Sequence, residues 1–261
     1  MSNERDEVET TRTDRVNSLA KGLQVLLAFG RRHTPMTITE VAKEVSLTPA
    51  SARRMLLTLV DLGYVGQTGK RFYVGPRVLD LGYSYLASKP IWQLTQPVLE
   101  RLSDAHHVSA AAAVLDGCDA LYTIRANSHQ PIQVLISTGT RLPAHITAMG
   151  RVLLAALPPE RLDDVIREIK FDSPTEKSIT SAQELRAVLA DIRRDGYSIV
   201  DEELAFGLRA VAVPLRNRAG EVVASINACG TLRSLEIADL RDRVLPALQL
   251  AAQEIRLHLA D

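Results

Sequence analysis

The sequence predicts an α+β protein in two parts. An N-terminal winged helix-turn-helix and a linker helix precede a larger domain built on an antiparallel sheet. Three observations carry this. Three helical periodicities with a short link between the second and third are followed at once by two β-prone runs. Further on, strand-like runs come in hairpin-connected groups with helices interspersed, and not in strict βαβ alternation. The charge is also divided: residues 15–77 hold ten Lys/Arg against three Asp/Glu, a net +7, whereas 1–14 carry −3 and 78–261 carry −4 within a formally neutral chain.

The leader "MSNERDEVETTRTDR" is polar and mixed in charge, unlike a signal or transit peptide, so residues 1–14 are expected to be disordered. "VNSLAKGLQVLLAFG" places Leu19, Leu23, Leu26, Leu27 and Phe29 at helical spacing and is expected to stop at Gly30. "TITEVAKEV" opens with Thr37 and carries Glu40 three residues on, the capping-box pattern. In "TPASARRMLLTLVDLG", Thr48 is the expected N-cap and Pro49 the first helical residue, where its missing N–H is harmless. Ala52, Met55, Leu56, Leu59 and Val60 then form the buried stripe. "YVGQ" and "KRFYVG" read as a hairpin around Thr68-Gly69. "PRVLDLGYSYLAS" reads as a linker helix over 78–89, bounded by Lys89-Pro90.

The remaining domain, 90–261, starts with the amphipathic "WQLTQPVLERLSDAHH". "SAAAAVL", "ALYTIRA" and "IQVLIST" follow as strands, the first two joined by "DGCD". "TAMGRVLLAAL" is a short apolar helix capped by Thr147, and helices are expected over Glu160–Ile169 and Ala182–Asp195. "YSIV", "LRAVAVPL" and "EVVASINAC" are strands, and a long helix over Leu235–Leu259 closes the chain.

The first module has the chemistry of a DNA reader. Its third helix is narrow enough for a major groove about 12 Å wide. Burial of the apolar stripe turns Pro49, Ala50, Ser51, Arg53, Arg54 and Thr58 outward, and the first-turn N–H groups can meet a phosphate. Arg53 and Arg54 point about 100° apart on a helix, so one can reach bases while the other clamps backbone. The full candidate set is Thr37, Thr39, Ser46, Thr48, Pro49, Ala50, Ser51, Arg53, Arg54, Thr58, Lys70 and Arg71. A cap followed by Arg-Arg is, taken alone, more often a solvated helix; the helix spacing, the wing and the local +7 reverse those odds.

Other classes are disfavoured. Aromatic residues make up 4%, too few for stacked-ring carbohydrate or single-strand surfaces. Two cysteines with no CxxC exclude a disulfide framework and suit a reducing cytoplasm. No apolar run approaches the 18–20 or so residues of a membrane span. Cys118, Cys229, His106, His107 and His145 lack metal-ligand spacing, so no metal is expected. GxSxG, Walker, HExxH and dinucleotide motifs are absent, so no catalytic residue and no cofactor is assigned.

"LAKGLQVLLAF", "TITEVAKEVSLTPASARRMLLTLVDLGYV" and "RFYVGPRVLDLGYSYL" resemble the N-terminal domain of IclR-type transcriptional regulators. "TGTRLPAHITAMGRVLLAALP", "RRDGYSIVDEELAFGLRAVAVPLRN" and "GEVVASINACG" resemble that family's effector domain, and the likeness spans about residues 15–258. "LDLGYSYLAS", "MGRVLLAALP" and "VDEELAFGLRAVAVPLR" are most like the branch controlling aromatic-acid catabolism, the protocatechuate and β-ketoadipate regulators. The resemblance implies a GAF-like effector domain with a site for a small organic acid. Carried over residue by residue, that site takes Met149, Gly150, Leu208, Ala210, Asn227 and Cys229. Arg125 and His145 are added on chemical grounds, as groups able to pair with a carboxylate. Open N–H groups at the start of the Thr147-capped helix would favour the same anion, with Gly150 leaving room for it. Structural roles compete for each: an ion pair for Arg125 and His145, a small buried hydrophobe for Cys229. The "DEE" at Asp201–Glu203 is expected to cap a loop or pair Arg209, and Arg151 to face the site or a neighbouring acid.

The partners implied are double-stranded operator DNA, a small aromatic or β-keto acid, further copies of the chain as homodimer or homotetramer, and RNA polymerase as a further candidate. A small-acid-converting enzyme and a non-DNA adaptor with a basic interaction module are the alternatives. Turnover of an acid would favour the first; binding any acidic polymer without operator preference would favour the second.

Overall fold

The computed structural model describes residues 16–126 and 136–258. The expected leader and residues 132–135 of the expected strand at 132–138 lie outside the described residues. Residues 136–138 are not strand. The chain separates into two compact units, and the change falls between Tyr85 and Leu86.

The first unit contains α1 (Asn17–Arg32), α2 (Ile38–Glu44), α3 (Pro49–Asp61), β1 (Val65–Thr68) and β2 (Arg71–Val74). The first helix continues past Gly30 to Arg32 and ends where His33 turns left-handed, φ 53°. Its buried face is Val25, Ala28 and Phe29, with Leu26 packed against the core. Leu19, Leu23 and Leu27, expected to share the apolar face, are exposed. Two apolar stripes run along this helix, and only one meets the unit's own core. Thr37 and Glu40 form a full capping box. Thr48 accepts the Ser51 N–H at 3.2 Å, with Pro49 at the first turn. The hairpin closes through Gly69-Lys70, with Gly69 at φ +58°. Met36 bridges Phe72, adding a third short edge. Phe72, 2% exposed, thereby anchors the wing in the core. Helix α4 (Val78–Ala87) follows.

The second unit has an antiparallel sheet in the order β5-β4-β3-β8-β7-β6. Its strands are β3 (Ser109–Asp116), β4 (Asp119–Ala126), β5 (Arg141–Pro143), β6 (Ser198–Asp201), β7 (Leu208–Arg216) and β8 (Val222–Thr231). Strand residues alternate between two cores. Ala110, Ala112, Val211, Val213, Ala224, Ile226 and Ala228 pack with α5 (Pro90–His106) and α10 (Leu245–His258). Ala111, Ala113 and Ala212 pack on the opposite face with α6 (Ala148–Ala155), α7 (Pro159–Glu168) and α8 (Ala182–Asp195). Burial on both faces explains why "SAAAA" reads as a continuous apolar run.

The expected long terminal helix is subdivided. A short turn α9 (Ile237–Asp239) leads into a π-helical turn (Leu240–Val244), in which the Leu245 N–H reaches back to Leu240. Pro246 has no N–H for the carbonyl four residues earlier, which favours a wider turn there.

Candidate functional sites: a basic helix and wing, and a cavity under the sheet

In the first unit, Ala52, Leu56 and Leu59 are buried in α3, while Met55 and Val60 are half-buried. Pro49, Ala50, Arg53, Arg54 and Thr58 are exposed and Ser51 half-exposed. Neither the Arg53 nor the Arg54 guanidinium has an ion-pair partner among the described residues, in contrast to Arg31 and Arg32, which both pair with Glu44 at 3.2 Å. Thr58 Oγ1 donates to the Arg54 carbonyl at 3.0 Å, so its hydroxyl proton is already committed. Thr37 is similarly engaged: its side chain and backbone both bond Glu40. Thr39 is exposed, and exposed Ser46 forms the α2–α3 turn at φ 52°. At the wing, Lys70 occupies the tip. Arg71 folds back instead, donating to the Pro35 carbonyl at 2.8 Å and facing Glu40 at 3.4 Å. Arg77 braces the far end, donating to the Leu62 carbonyl at 2.8 Å and lying over the Tyr64 ring.

In the second unit a small cavity, partly open to solvent, lies between the sheet and the start of α6. Five of the eight expected effector residues line it: Arg125, Leu208, Ala210, Asn227 and Cys229. Register explains the grouping. Ala111 of β3 lies opposite Arg125 on one side and Asn227 on the other. A residue with only a methyl group thus separates a cation from an amide. Ala210 and Ser109 flank Cys229 in the next row.

Tyr122 lines the same cavity as Arg125, although strict alternation would put residues three apart on opposite faces. A bulge resolves this: Ala112 pairs with Ile124 and Ala113 with Tyr122, leaving Thr123 as the extra residue. Burial raises the Tyr122 phenol pKa well above its ordinary value, keeping it a neutral hydrogen-bonding group. Burial likewise pushes the Cys229 thiol up to about 11. Asn227 Oδ1 is buried with no donor among the described residues. No acidic residue lines the cavity, and Arg125 is its single lining cation among the described residues.

The other three expected residues lie beside this wall. Met149 is fully buried in the helical core. Gly150 does not line the cavity; a Cβ there would stand 2.3 Å from Ala144 Cα. Its missing side chain makes room for the turn beneath α6, which corrects the expectation of room for a ligand. Its N–H is also taken, bonding Thr147 Oγ1 at 3.2 Å. His145 is 1% exposed, edge-on to Phe171 at 5.2 Å, and burial lowers its pKa. The neighbours Ile146, Thr147 and Ala148 form the wall instead, with Ser109, Tyr122, Ile136, Val200 and Leu204.

The "DEE" carboxylates are divided among structural tasks. Asp201 accepts from Arg209 Nε at 2.6 Å, Glu202 accepts the Gly207 N–H at 2.9 Å, and Glu203 takes buried Arg151 in a two-pronged pair. Among the described residues no group of three metal-ligating side chains converges. No described helix is long and apolar enough to cross a membrane.

Comparison with known proteins gives concordant results for both units. Residues 18–69 match the IclR helix-turn-helix domain, and residues 83–257 match the bacterial transcriptional regulator IclR C-terminal domain. The chain is 37% identical to the Pca regulon regulatory protein of Pseudomonas putida over 243 residues, 93% of this chain and 84% of that protein. A solved structure from Rhodococcus sp. RHA1 superposes with a TM-score of 0.83 at 42% identity, covering 93% of this chain and 98% of that one. The inducer-binding domain of a double mutant of PobR from Acinetobacter, solved with 3-hydroxybenzoic acid, superposes with a TM-score of 0.59 at 29% identity, covering 63% of this chain and 96% of that one.

Proposed function

The chain belongs to the IclR family of DNA-binding transcriptional regulators, and from that premise we propose that it is a cytoplasmic sensor of a small aromatic acid controlling a catabolic operon. The family is one of regulators and not of enzymes. The observation that carries the finer reading is the polarity of the cavity. Among the described residues, one guanidinium, one buried amide oxygen without a donor and one neutral phenol lie among small apolar residues, with no carboxylate to repel an acid. Arg125 takes the carboxylate of the effector, and Asn227 Oδ1 accepts from a hydroxyl on it. The 3-hydroxybenzoic acid complex of PobR supports the same ligand class, and the Pca regulon regulatory protein of Pseudomonas putida supports control of a regulon.

On the DNA side, α3 enters the major groove, with Arg53 and Arg54 divided between a base edge and a phosphate. Lys70 supplies the wing contact, and Arg71 orients the wing from behind. The exposed stripe of Leu19, Leu23 and Leu27 on α1, and the exposed Leu79, Leu81 and Tyr83 on α4, form the seam of a homodimer, which can pair again as a tetramer. Two reading heads then meet half-sites one helical turn, or a multiple of it, apart. Effector binding acts through different affinity for two arrangements of the dimer, changing how RNA polymerase is served at the promoter.

The test is a thermal-shift screen of the full chain with 3-hydroxybenzoate, 4-hydroxybenzoate, 3,4-dihydroxybenzoate and β-ketoadipate. A binding acid raises the midpoint by mass action, and Arg125→Ala removes the rise. No rise with any acid, or an undiminished rise in Arg125→Ala, would sink this assignment.

A further inference from the structure

One side of the cavity is closed by two residues that also face the outside. Ile146 and Leu204 line the inner space together with Arg125, Asn227 and Cys229. The same two residues line a shallow outer groove with Pro143, Asp172, Ser173 and Pro174. Residues shared by a partly enclosed space and a more open groove form the wall between them.

The two halves of this partition differ in how they are built. Ile146 ends the one-turn helix Ala144–Ile146 and is 2% exposed. Leu204 belongs to the turn between β6 and β7. That turn starts at Glu202, whose φ of 62° is rare for a residue with a side chain, and ends at Gly207, φ +77°. Its base is tied shut by the Glu202 N–H on the Leu208 carbonyl at 2.8 Å and the Gly207 N–H on Glu202 Oε2 at 2.9 Å. The ladders of β3, β4, β7 and β8 cannot part without breaking hydrogen bonds between strands. The turn can swing about its two ends while the ladder stays whole.

One buried ion pair holds both halves. Arg151 Nη1 donates to Glu203 Oε1 at 2.7 Å, and Nη2 donates to Oε2. Glu203 is the residue before Leu204. Arg151 Nε donates to the His145 carbonyl at 2.7 Å, and His145 is the residue before Ile146. Ser178 Oγ secures the Glu203 carbonyl at 2.7 Å, and the Ile179 N–H reaches its carboxylate at 3.3 Å. A buried pair of this kind adds little net stability compared with apolar packing, but it fixes direction.

We infer that Ile146 and Leu204 form the gate through which the effector reaches the cavity, and that the Arg151–Glu203 pair is its latch. The biological meaning rests on the cavity being the effector site, but opening can be read without any effector. Cys229 lies inside the cavity, and in a Cys118→Ser background it is the one remaining thiol. The full-length protein is treated with methyl methanethiolsulfonate at one fixed pH, and the rate of Cys229 labelling is measured. Leu204→Ala and Glu203→Gln are each expected to raise the rate severalfold. Leu204→Trp is expected to lower it below the parent. Loss of stability can only speed the labelling, so the tryptophan variant separates a gate from partial unfolding. Equal rates in the parent, Leu204→Ala and Leu204→Trp overturn the gate. A faster Leu204→Ala beside an unchanged Glu203→Gln overturns the latch. Labelling that responds to Leu204 in a protein no aromatic acid stabilises would uphold the gate and remove the effector assignment instead.

Discussion

Replacing Gly150 by alanine is expected to destabilise the effector unit, even though the change adds one methyl group and improves helix propensity. An added Cβ would stand 2.3 Å from Ala144 Cα, 2.4 Å from the Ala144 carbonyl oxygen and 2.6 Å from Thr147 Oγ1. Ordinary contact begins near 3.4 Å, so the turn beneath α6 must retreat by about 1 Å. The first two partners are backbone atoms of a fully buried residue and cannot rotate away. Overpacking of this kind costs about 1–3 kcal/mol, here toward the upper end. Displacing Thr147 also weakens the cap it provides to the Gly150 N–H, worth about 1 kcal/mol. Alanine returns about 1 kcal/mol in helix propensity. The net loss is about 2–3 kcal/mol, which for a unit of this size lowers the melting midpoint by roughly 5–10 °C. Gly22→Ala in α1 is the internal control: nothing lies within 4 Å of its added Cβ, so it is expected to be neutral or slightly stabilising. Differential scanning calorimetry of both variants makes the comparison. A Gly150→Ala protein as stable as the parent would refute the close approach of α6 to the turn, and with it the reading of Gly150 as a packing residue.

Arg53→Ala and Arg54→Ala, measured by fluorescence anisotropy on operator DNA, are expected to separate. The base reader loses about 1–3 kcal/mol with relaxed sequence preference, and the phosphate contact weakens all duplexes alike and lowers the salt slope by about one; two identical profiles would contradict the division. Arg71→Ala is expected to lower stability slightly, with the Glu40 share of the loss shrinking at high salt because both side chains are exposed and the loss of the bond to the Pro35 carbonyl persisting; a loss wholly unaffected by salt in urea titrations would contradict a screened pair. His145 has a lowered folded-state pKa, so the unfolded chain binds the proton more tightly and stability falls as pH drops below about 6.5 toward the folded value. In His145→Phe that part of the decline below pH 6.5 is expected to disappear from the denaturation curves, and an unchanged decline would place it elsewhere.

The first unit was legible nearly throughout, because its signals are local. Thr37 with Glu40, Thr48 with Pro49, and the hairpin glycine each act within three or four residues, so both caps match the expectation and the turn lies one residue later, at Gly69-Lys70. The face of α1 was not legible in the same way. Its leucines and its Val25-Ala28-Phe29 stripe both have helical period, and only packing against α3 and the wing decides which is inside.

For the effector unit, the chain alone determined the order of most elements, while the cavity residues Leu208, Ala210, Asn227 and Cys229 came from the family resemblance. Periodicity and capping depend on neighbours along the backbone, and those are present in any sequence. What only the tertiary structure decided depends on neighbours across it. The bulge at Thr123 turns Arg125 onto the face of Tyr122, Ala144 fills the space beside Gly150, and Glu203, 52 residues from Arg151, neutralises its charge. Gly150 is thereby reassigned from the site to packing, while Arg125 keeps its place at the cavity and Arg151 takes the neighbouring acid, because a strand's phase, a glycine's void and a buried charge acquire meaning from the atoms brought opposite them when the sheet closes.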